Sequence, residues 1–386
     1  MARQKREGPP GDAAPAQPIT LAELRRLRMQ AQCLAPRKPR QALVDVVKAL
    51  CGVNAQLPSA MALALRARVE GLTLADIESS RLQDRALVRT WCMRGTMHLL
   101  ATDDLGWLLS AIPAATIQSG WRWLEKRAGL EPQRAKVILD AAYKTLKQNG
   151  PLTRPNLMAA LAKQYGGQVT SAAAGLVWLN GMLGRVGFGP DQGNKPTYVA
   201  LDTWLGHEVQ ITNPPDNAEL TRRYLQGYGP AEPRDMASWW GLPLGEVKKA
   251  WAPLQNSFTA LRVEEQPVWL ASTGGEAAPN TRPQPPVVRL LPAFDTYLLG
   301  YHARDFAVAP DHAKHIFHGG ELAPVVLVDG LAAGTWRYER RGKQMRITVT
   351  PFSTLSAEIK RLIAEEAEDI GRFYELLVAL SFASGG

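Results

Sequence analysis

The hydrophobic pattern of this 386-residue chain repeats one order three times: helices, then two short apolar strands around a polar tip. In the first round Leu43, Val46, Val47 and Leu50 fall at i, i+3, i+4 and i+7, one face of a helix. That pattern stops near Gly52. Pro58 is suited to open the next helix, over residues 59–69, because a first turn does not need its missing N–H. Residues 86–91 and 96–100 then read as a hairpin with Cys92-Met93-Arg94-Gly95 at its tip. In the second round Thr153 caps a helix over 154–164, residues 171–183 form the next, and 185–188 pair with 197–201. In the third, helices over 235–240 and 244–254 flank the turn Gly241-Leu242-Pro243, followed by strands over 258–263 and 267–271. Helix, turn, helix, two-stranded wing is the winged-helix plan, a variant of the helix-turn-helix.

The rest of the chain frames these rounds. Residues 1–18 carry charge without an apolar stretch and read as a disordered basic tail, not a secretory signal. Thr20-Leu21-Ala22-Glu23 is a capping box that opens the first helix. A Gly-, Ala- and Pro-rich run over 273–286 reads as a linker. Beyond it come strands over 287–291, 324–328, 332–338 and 345–350, with turns at Asp329-Gly330 and Arg341-Gly342, and a closing amphipathic helix over 356–380. The expected fold is α+β and helix-rich. It has three tandem winged-helix units, over 19–125, 126–215 and 216–272, and a C-terminal β-rich partial barrel over 287–386.

Several function classes drop out. No phosphate-cradling glycine loop, dinucleotide fingerprint or Ser-His-Asp arrangement stands in the sequence. Cys33, Cys51 and Cys92 lack metal or redox spacing, which fits a reducing cytoplasm. No apolar run reaches membrane-span length. His312, His315 and His318 share a helical face only in part and lack an acidic or cysteine partner nearby. They read as a solvated or DNA-facing segment, so no metal and no cofactor is expected. Lys plus Arg number 45 against 36 Asp plus Glu, a net charge of +9 that suits a polyanionic partner.

Three constellations carry the candidate chemistry. In an extended junction, Asn54 and Gln56 would point their amides into one cleft. The alternative makes Asn54 a left-handed helix C-cap and Gln56 a solvated loop residue. Arg94 sits at a wing tip, within reach of phosphate, and Thr96 and His98 leave one face of the following strand; the bland reading is a solvated tip with a half-buried histidine. Arg337, Arg340, Arg341, Lys343 and Arg346 form a positive strip beside Trp336 and Tyr338, for phosphate contact or to block edge pairing.

Several segments in order resemble a known family. They are Gly52-Val53-Asn54-Ala55-Gln56, then Trp91-Cys92-Met93-Arg94-Gly95-Thr96-Met97-His98-Leu99, Phe188-Gly189-Pro190 with Lys195-Pro196-Thr197-Tyr198, and Leu291-Pro292-Ala293-Phe294-Asp295-x-Tyr297-Leu298-Leu299-Gly300-Tyr301. Val328-Asp329-Gly330 and Gly334-Thr335-Trp336 complete the set. Together they resemble the winged-helix DNA glycosylases of the AlkZ-like and YcaQ-like family, closer to AlkZ-like members. The resemblance implies three winged-helix units, a basic concave DNA surface, and removal of bulky or crosslinked N7-alkylated purines. It covers nearly everything after the tail.

The same resemblance assigns residues. AlkZ-like members carry Gln-aliphatic-Gln as the catalytic motif and YcaQ-like members Gln-aliphatic-Asp; here the triplet is Asn54-Ala55-Gln56, with the first amide one methylene shorter. Gln56 would position water and Asn54 would orient that water or Gln56. Arg94, Thr96, His98, Arg337 and Arg341 would contact DNA, and Asp295 is a structural cap or a site residue. The expected partner is double-stranded DNA, bound by a monomer in the bacterial cytoplasm, in repair or in self-resistance to a DNA-alkylating natural product. The competing class is a non-catalytic winged-helix DNA-binding protein or transcriptional regulator.

Overall fold

A computed structural model describes residues 16–212, 214–271 and 285–383. The chain enters through strand β1 (Gln17–Ile19) and helix α1 (Leu21–Ala31). The capping box holds: the Thr20 hydroxyl accepts from the Glu23 N–H at 3.2 Å, and the Glu23 carboxylate accepts from the Thr20 N–H at 2.7 Å. Such a cap stabilises a helix end by about 1 kcal/mol.

The first round folds as α2 (Leu43–Ala49), β2 (Val53–Asn54), α3 (Pro58–Arg66), α4 (Leu74–Leu82), β3 (Leu87–Cys92) and β4 (Thr96–Ala101). Its sheet runs β2-β4-β3, with β4 in the centre. Helices α5 (Leu105–Ser110) and α6 (Ala114–Lys126) lead to the second round. There α7 (Pro132–Asn149), β5 (Leu152–Thr153), α8 (Arg154–Tyr165), α9 (Val169–Met182), β6 (Val186–Phe188) and β7 (Thr197–Ala200) repeat the plan, with sheet order β5-β7-β6. Thr153 caps α8 by accepting from the Asn156 N–H.

Helix α10 (Leu201–Leu205) precedes the third round, built of α11 (Asn217–Tyr228), α12 (Pro233–Trp240), α13 (Leu244–Trp251), β8 (Phe258–Val263) and β9 (Gln266–Ala271). The short first strand is here reduced to one bridge, Ala231 to Trp269 on β9. All three rounds therefore pair their first extended segment with the last strand of their hairpin.

The remaining chain carries β10 (Val288–Leu291), α14 (Thr296–Leu299), α15 (Ala313–Ile316), the small hairpin β11 (Phe317–His318) and β12 (Glu321–Leu322), then β13 (Val325–Val328), β14 (Leu331–Arg341), β15 (Gln344–Pro351), α16 (Ala357–Tyr374) and β16 (Leu377–Phe382). Five strands form one sheet in the order β10-β13-β14-β15-β16. Ile363, Ala367 and Ile370 of α16 cover it, in one cluster with Leu290, Ile347 and Val349.

Two expectations are corrected. The tail expected over 1–18 falls mostly outside the described residues, but Gln17–Ile19 is a strand, paired in parallel with Leu261–Val263 of β8. The closing helix ends at Tyr374: Glu375 takes a left-handed φ of 55°, and the chain returns as β16, parallel to β15. The linker expected over 273–286 lies outside the described residues except for its last two.

Buried ion pairs join the rounds to the final sheet. Arg66, at the C-terminal end of α3, donates to Glu366 at 2.8 Å and to Asp369 at 2.8 Å, both on α16. Arg37 pairs with the same two carboxylates. Arg68 makes a two-pronged pair with Asp295, at 2.7 and 2.9 Å, with both side chains fully buried. Helix α3 is thus fixed by its far end, and its first residue, Pro58, stands two positions after Gln56.

Candidate active site

Asn54 is not a helix cap. The left-handed residues that end α2 are Cys51 and Gly52, at φ 50° and 105°. The chain then straightens into β2, where Asn54 lies opposite His98 of β4. The Ala55 N–H extends that ladder to the Met97 carbonyl at 2.8 Å. Beyond it the strand ends and the chain bends at Gln56. Opposed residues of an antiparallel pair share a face. Asn54, Thr96 and His98 therefore project from one side of the sheet.

The two amides are joined. Asn54 Nδ2 donates to Gln56 Oε1 at 3.1 Å, and the Gln56 N–H donates to Asn54 Oδ1 at 3.3 Å. The second bond is an Asx turn, which the short Asn side chain makes with the backbone two residues on. Asn54 is buried and Gln56 half-buried, so the pair has a shielded member and an open one.

Arg89 was not among the sequence candidates. Its Nε donates to the Ala55 carbonyl at 3.0 Å, between the two amides, and its guanidinium lies over the Phe188 ring, 4.2 Å from the centroid. Burial draws its pKa down to about 10, so it remains a cation at neutral pH. One signal was readable: a lone charge inside Leu87-Val88-Arg89-Thr90-Trp91-Cys92, a strand buried along its whole length.

The other candidates separate. Arg94 is exposed at the hairpin tip, and its Nη1 donates to the Ser238 carbonyl of α12 at 3.1 Å. Thr96 is half-buried; its Oγ1 is closed off and has no hydrogen-bond partner among the described residues. His98, expected as a DNA contact, is only 3% exposed. It lies on the central strand, with Thr90 on its other side bonded to the Val186 carbonyl of the second round at 2.7 Å. Its Nδ1 lies 3.0 Å from the Thr96 carbonyl. Burial first, then the charge of Arg94, press its pKa down to about 4.

Asp295 accepts the Tyr297 N–H at 2.9 Å as the cap of α14 and pairs with Arg68, both side chains fully buried. Arg337 and Arg341 are exposed on β14. Between them Arg340 lies over the Tyr374 ring, 3.5 Å from its centroid, and the Tyr374 hydroxyl donates to the Ser59 carbonyl at 3.5 Å. That chain of contacts ties β14 to the first turn of α3, three residues after Gln56 in the chain. His312 stacks on Phe352 at 4.2 Å. Among the described residues no group of three or more His, Cys, Asp or Glu is gathered for a metal, and no helix is long and apolar enough to cross a membrane.

Known proteins resemble this chain in sequence and in fold. The family described as DNA glycosylase AlkZ-like matches residues 47–373, a span that includes the amide pair and ends within α16. A protein of Streptomyces sahachiroi named interstrand DNA cross-link repair glycosylase is 29% identical over 363 residues, covering 89% of this chain and 94% of that protein. The structure of Streptomyces sahachiroi DNA glycosylase AlkZ superposes with a TM-score of 0.77 at 26% identity, covering 94% of this chain and all of that one. The chain belongs to the AlkZ-like DNA glycosylase family.

Proposed function

We propose that this chain is a monofunctional DNA glycosylase that hydrolyses the N-glycosidic bond of cationic N7-alkylated purines in double-stranded DNA, bulky adducts and interstrand crosslinks included. The observation that carries the reading is the Asn54–Gln56 amide pair, held at 3.1 Å on a half-open strand face. Neutral amides are poor acids and bases, and a cationic purine needs neither to leave. Breaking its bond neutralises it, so its departure needs positioning and dipoles rather than an acid. Gln56, the open member, orients the attacking water; Asn54 holds Gln56 from behind. The family's first Gln is an Asn here, and the Asx turn gives the shorter side chain a reason to fit.

In this reading the three rounds are winged-helix units over 19–125, 126–215 and 216–272, followed by a β-rich partial-barrel domain over 287–386. Arg94 reaches the phosphate backbone from the first wing tip, and Arg337 and Arg341 meet it from the ribbon on β14. The protein works as a cytoplasmic monomer, in general repair of crosslinks or in protection from an alkylating natural product. The name of the Streptomyces relative supports the crosslink assignment.

The test is excision from duplexes holding one N7-methylguanine, one bulky N7 adduct or one crosslink, comparing wild type with Gln56→Ala. Base release by the wild type that is lost in the variant is the expected result. Salt-sensitive binding with no release from any of the three substrates would replace this reading with the non-catalytic DNA-binding one.

A further inference from the structure

The hydrolysis leaves one step without an agent. Water adds to C1′ and must shed a proton, and an amide cannot take it. The residue across the ladder from Asn54 can. His98 Nδ1 faces the Thr96 carbonyl at 3.0 Å, and a carbonyl only accepts, so the ring's Nδ1 carries the hydrogen. In the neutral ring this leaves Nε2 as a lone pair. Nε2 has no hydrogen-bond partner among the described residues and, unlike Thr96 Oγ1, is not closed off. A histidine used only for packing would normally have both nitrogens engaged. This one keeps an acceptor free on the face that carries Asn54, the residue that holds Gln56.

We propose that His98 Nε2 takes the proton of the attacking water, an inference that rests on the glycosylase reading above. The water oxygen forms its bond to C1′ of the lesion nucleotide. The C1′–N9 bond breaks, and its electron pair returns to the purine and cancels the N7 charge. One water proton passes to Nε2, giving an imidazolium that later loses it to solvent. Water bound to an oxocarbenium-like carbon is strongly acidic, so a weak base is sufficient. Burial and Arg94 set the ring near pKa 4, the strength of an ordinary carboxylate. The ring thus stays neutral and ready at pH 7. Arg94 is the charged group bearing on it; the side chains opposite on the flanking strands, Asn54 and Thr90, do not titrate.

The experiment is single-turnover release from a duplex with one N7-methylguanine, using the full chain in excess. His98→Gln keeps an acceptor oxygen but cannot take a proton, and His98→Asn keeps a donor for the Thr96 carbonyl but lacks the distal nitrogen. The expected result is a loss of about 10²-fold in rate for both, the low end for a general base, with duplex affinity within about twofold of wild type. Wild type slows in D₂O and His98→Gln does not. Release by His98→Gln at the wild-type rate overturns the assignment. So does weakened affinity with an unchanged rate at saturating protein, which makes His98 a DNA contact. Should both variants fail to fold, the wild-type isotope effect decides, and its absence overturns the proposal. Release lost in Gln56→Ala but kept in His98→Gln removes this inference and leaves the glycosylase reading. No release by wild type from any N7-alkylated duplex removes both.

Discussion

Asn54 grips Gln56 twice, through its Nδ2 to the side-chain oxygen at 3.1 Å and through its Oδ1 to the backbone N–H at 3.3 Å. The two residues therefore act as one unit. Gln56→Ala is expected to lower the single-turnover excision rate by about 10²-fold, the loss typical of one preorganised polar group. Asn54→Ala leaves Gln56 unheld and costs about tenfold, and the double variant falls no further than Gln56→Ala alone. A double-mutant cycle that came out additive would separate their roles.

Glu366 is buried against three guanidiniums. Burial alone would raise its pKa, but Arg66, Arg37 and Arg289 outweigh it and hold the carboxylate below its usual 4.5. A carboxylate with a depressed folded pKa contributes stability that is complete above the unfolded value and lost as pH falls through the folded one. Thermal stability should therefore hold from neutral pH down to about 4.5 and fall below it. Glu366→Ala should cost about 3–5 kcal/mol at pH 7 and flatten that acid limb, because it removes the buried carboxylate that Arg66, Arg37 and Arg289 share and leaves Asp369 alone to face Arg66 and Arg37. Melting curves from pH 3 to pH 7 check both.

Arg337 and Arg341 project from the ribbon into solvent; among the described residues Arg341 has a carboxylate near, Glu339 at 3.8 Å, and Arg337 has none. As phosphate contacts, each would lower the slope of log affinity against log salt by about 1 when replaced by Ala. The release rate at saturating protein should not change. Duplex binding titrated across salt concentrations reads the slope directly.

The three thiols are buried and unpaired. Burial pushes Cys51 and Cys92 up to about 12 and raises Cys33 as well. Thiolate is the reactive form. The folded protein should therefore resist a disulfide reagent at pH 8 and keep full excision activity, while the unfolded chain reacts at all three. Rapid labelling of the native protein would contradict this packing.

Local signals carried far in this chain. The Thr20–Glu23 capping box, the Thr153 cap and the hairpin ends are written in neighbouring residues, and the structure places them within a few positions of expectation. What escaped was non-local or short. Strand β2 has two residues, too few for a period, and its partner lies beyond two helices. Strand β16 continues an apolar rhythm that suits a helix as well, and Glu375 breaks it without a glycine. The amide triplet was visible as a motif, but its alternative as a cap fell only when the ladder to His98 appeared. The burial of His98 depends on what covers the sheet, and alternation along β4 holds no record of that. Arg68 and Asp295 show the same limit: 227 residues separate them, and nothing local to either announces the pair.

Strand β1 has an outcome for how the molecule matures. Gln17–Ile19 finds its place only on Leu261–Val263, the outer strand of the third round. That early segment cannot pair until the strand of the third round has been made, some 240 positions further along the chain. The rounds are therefore not beads that finish one after another. The last of them takes β1 as its third strand, and a chain cut before Leu261 would leave Gln17–Ile19 with no sheet to join.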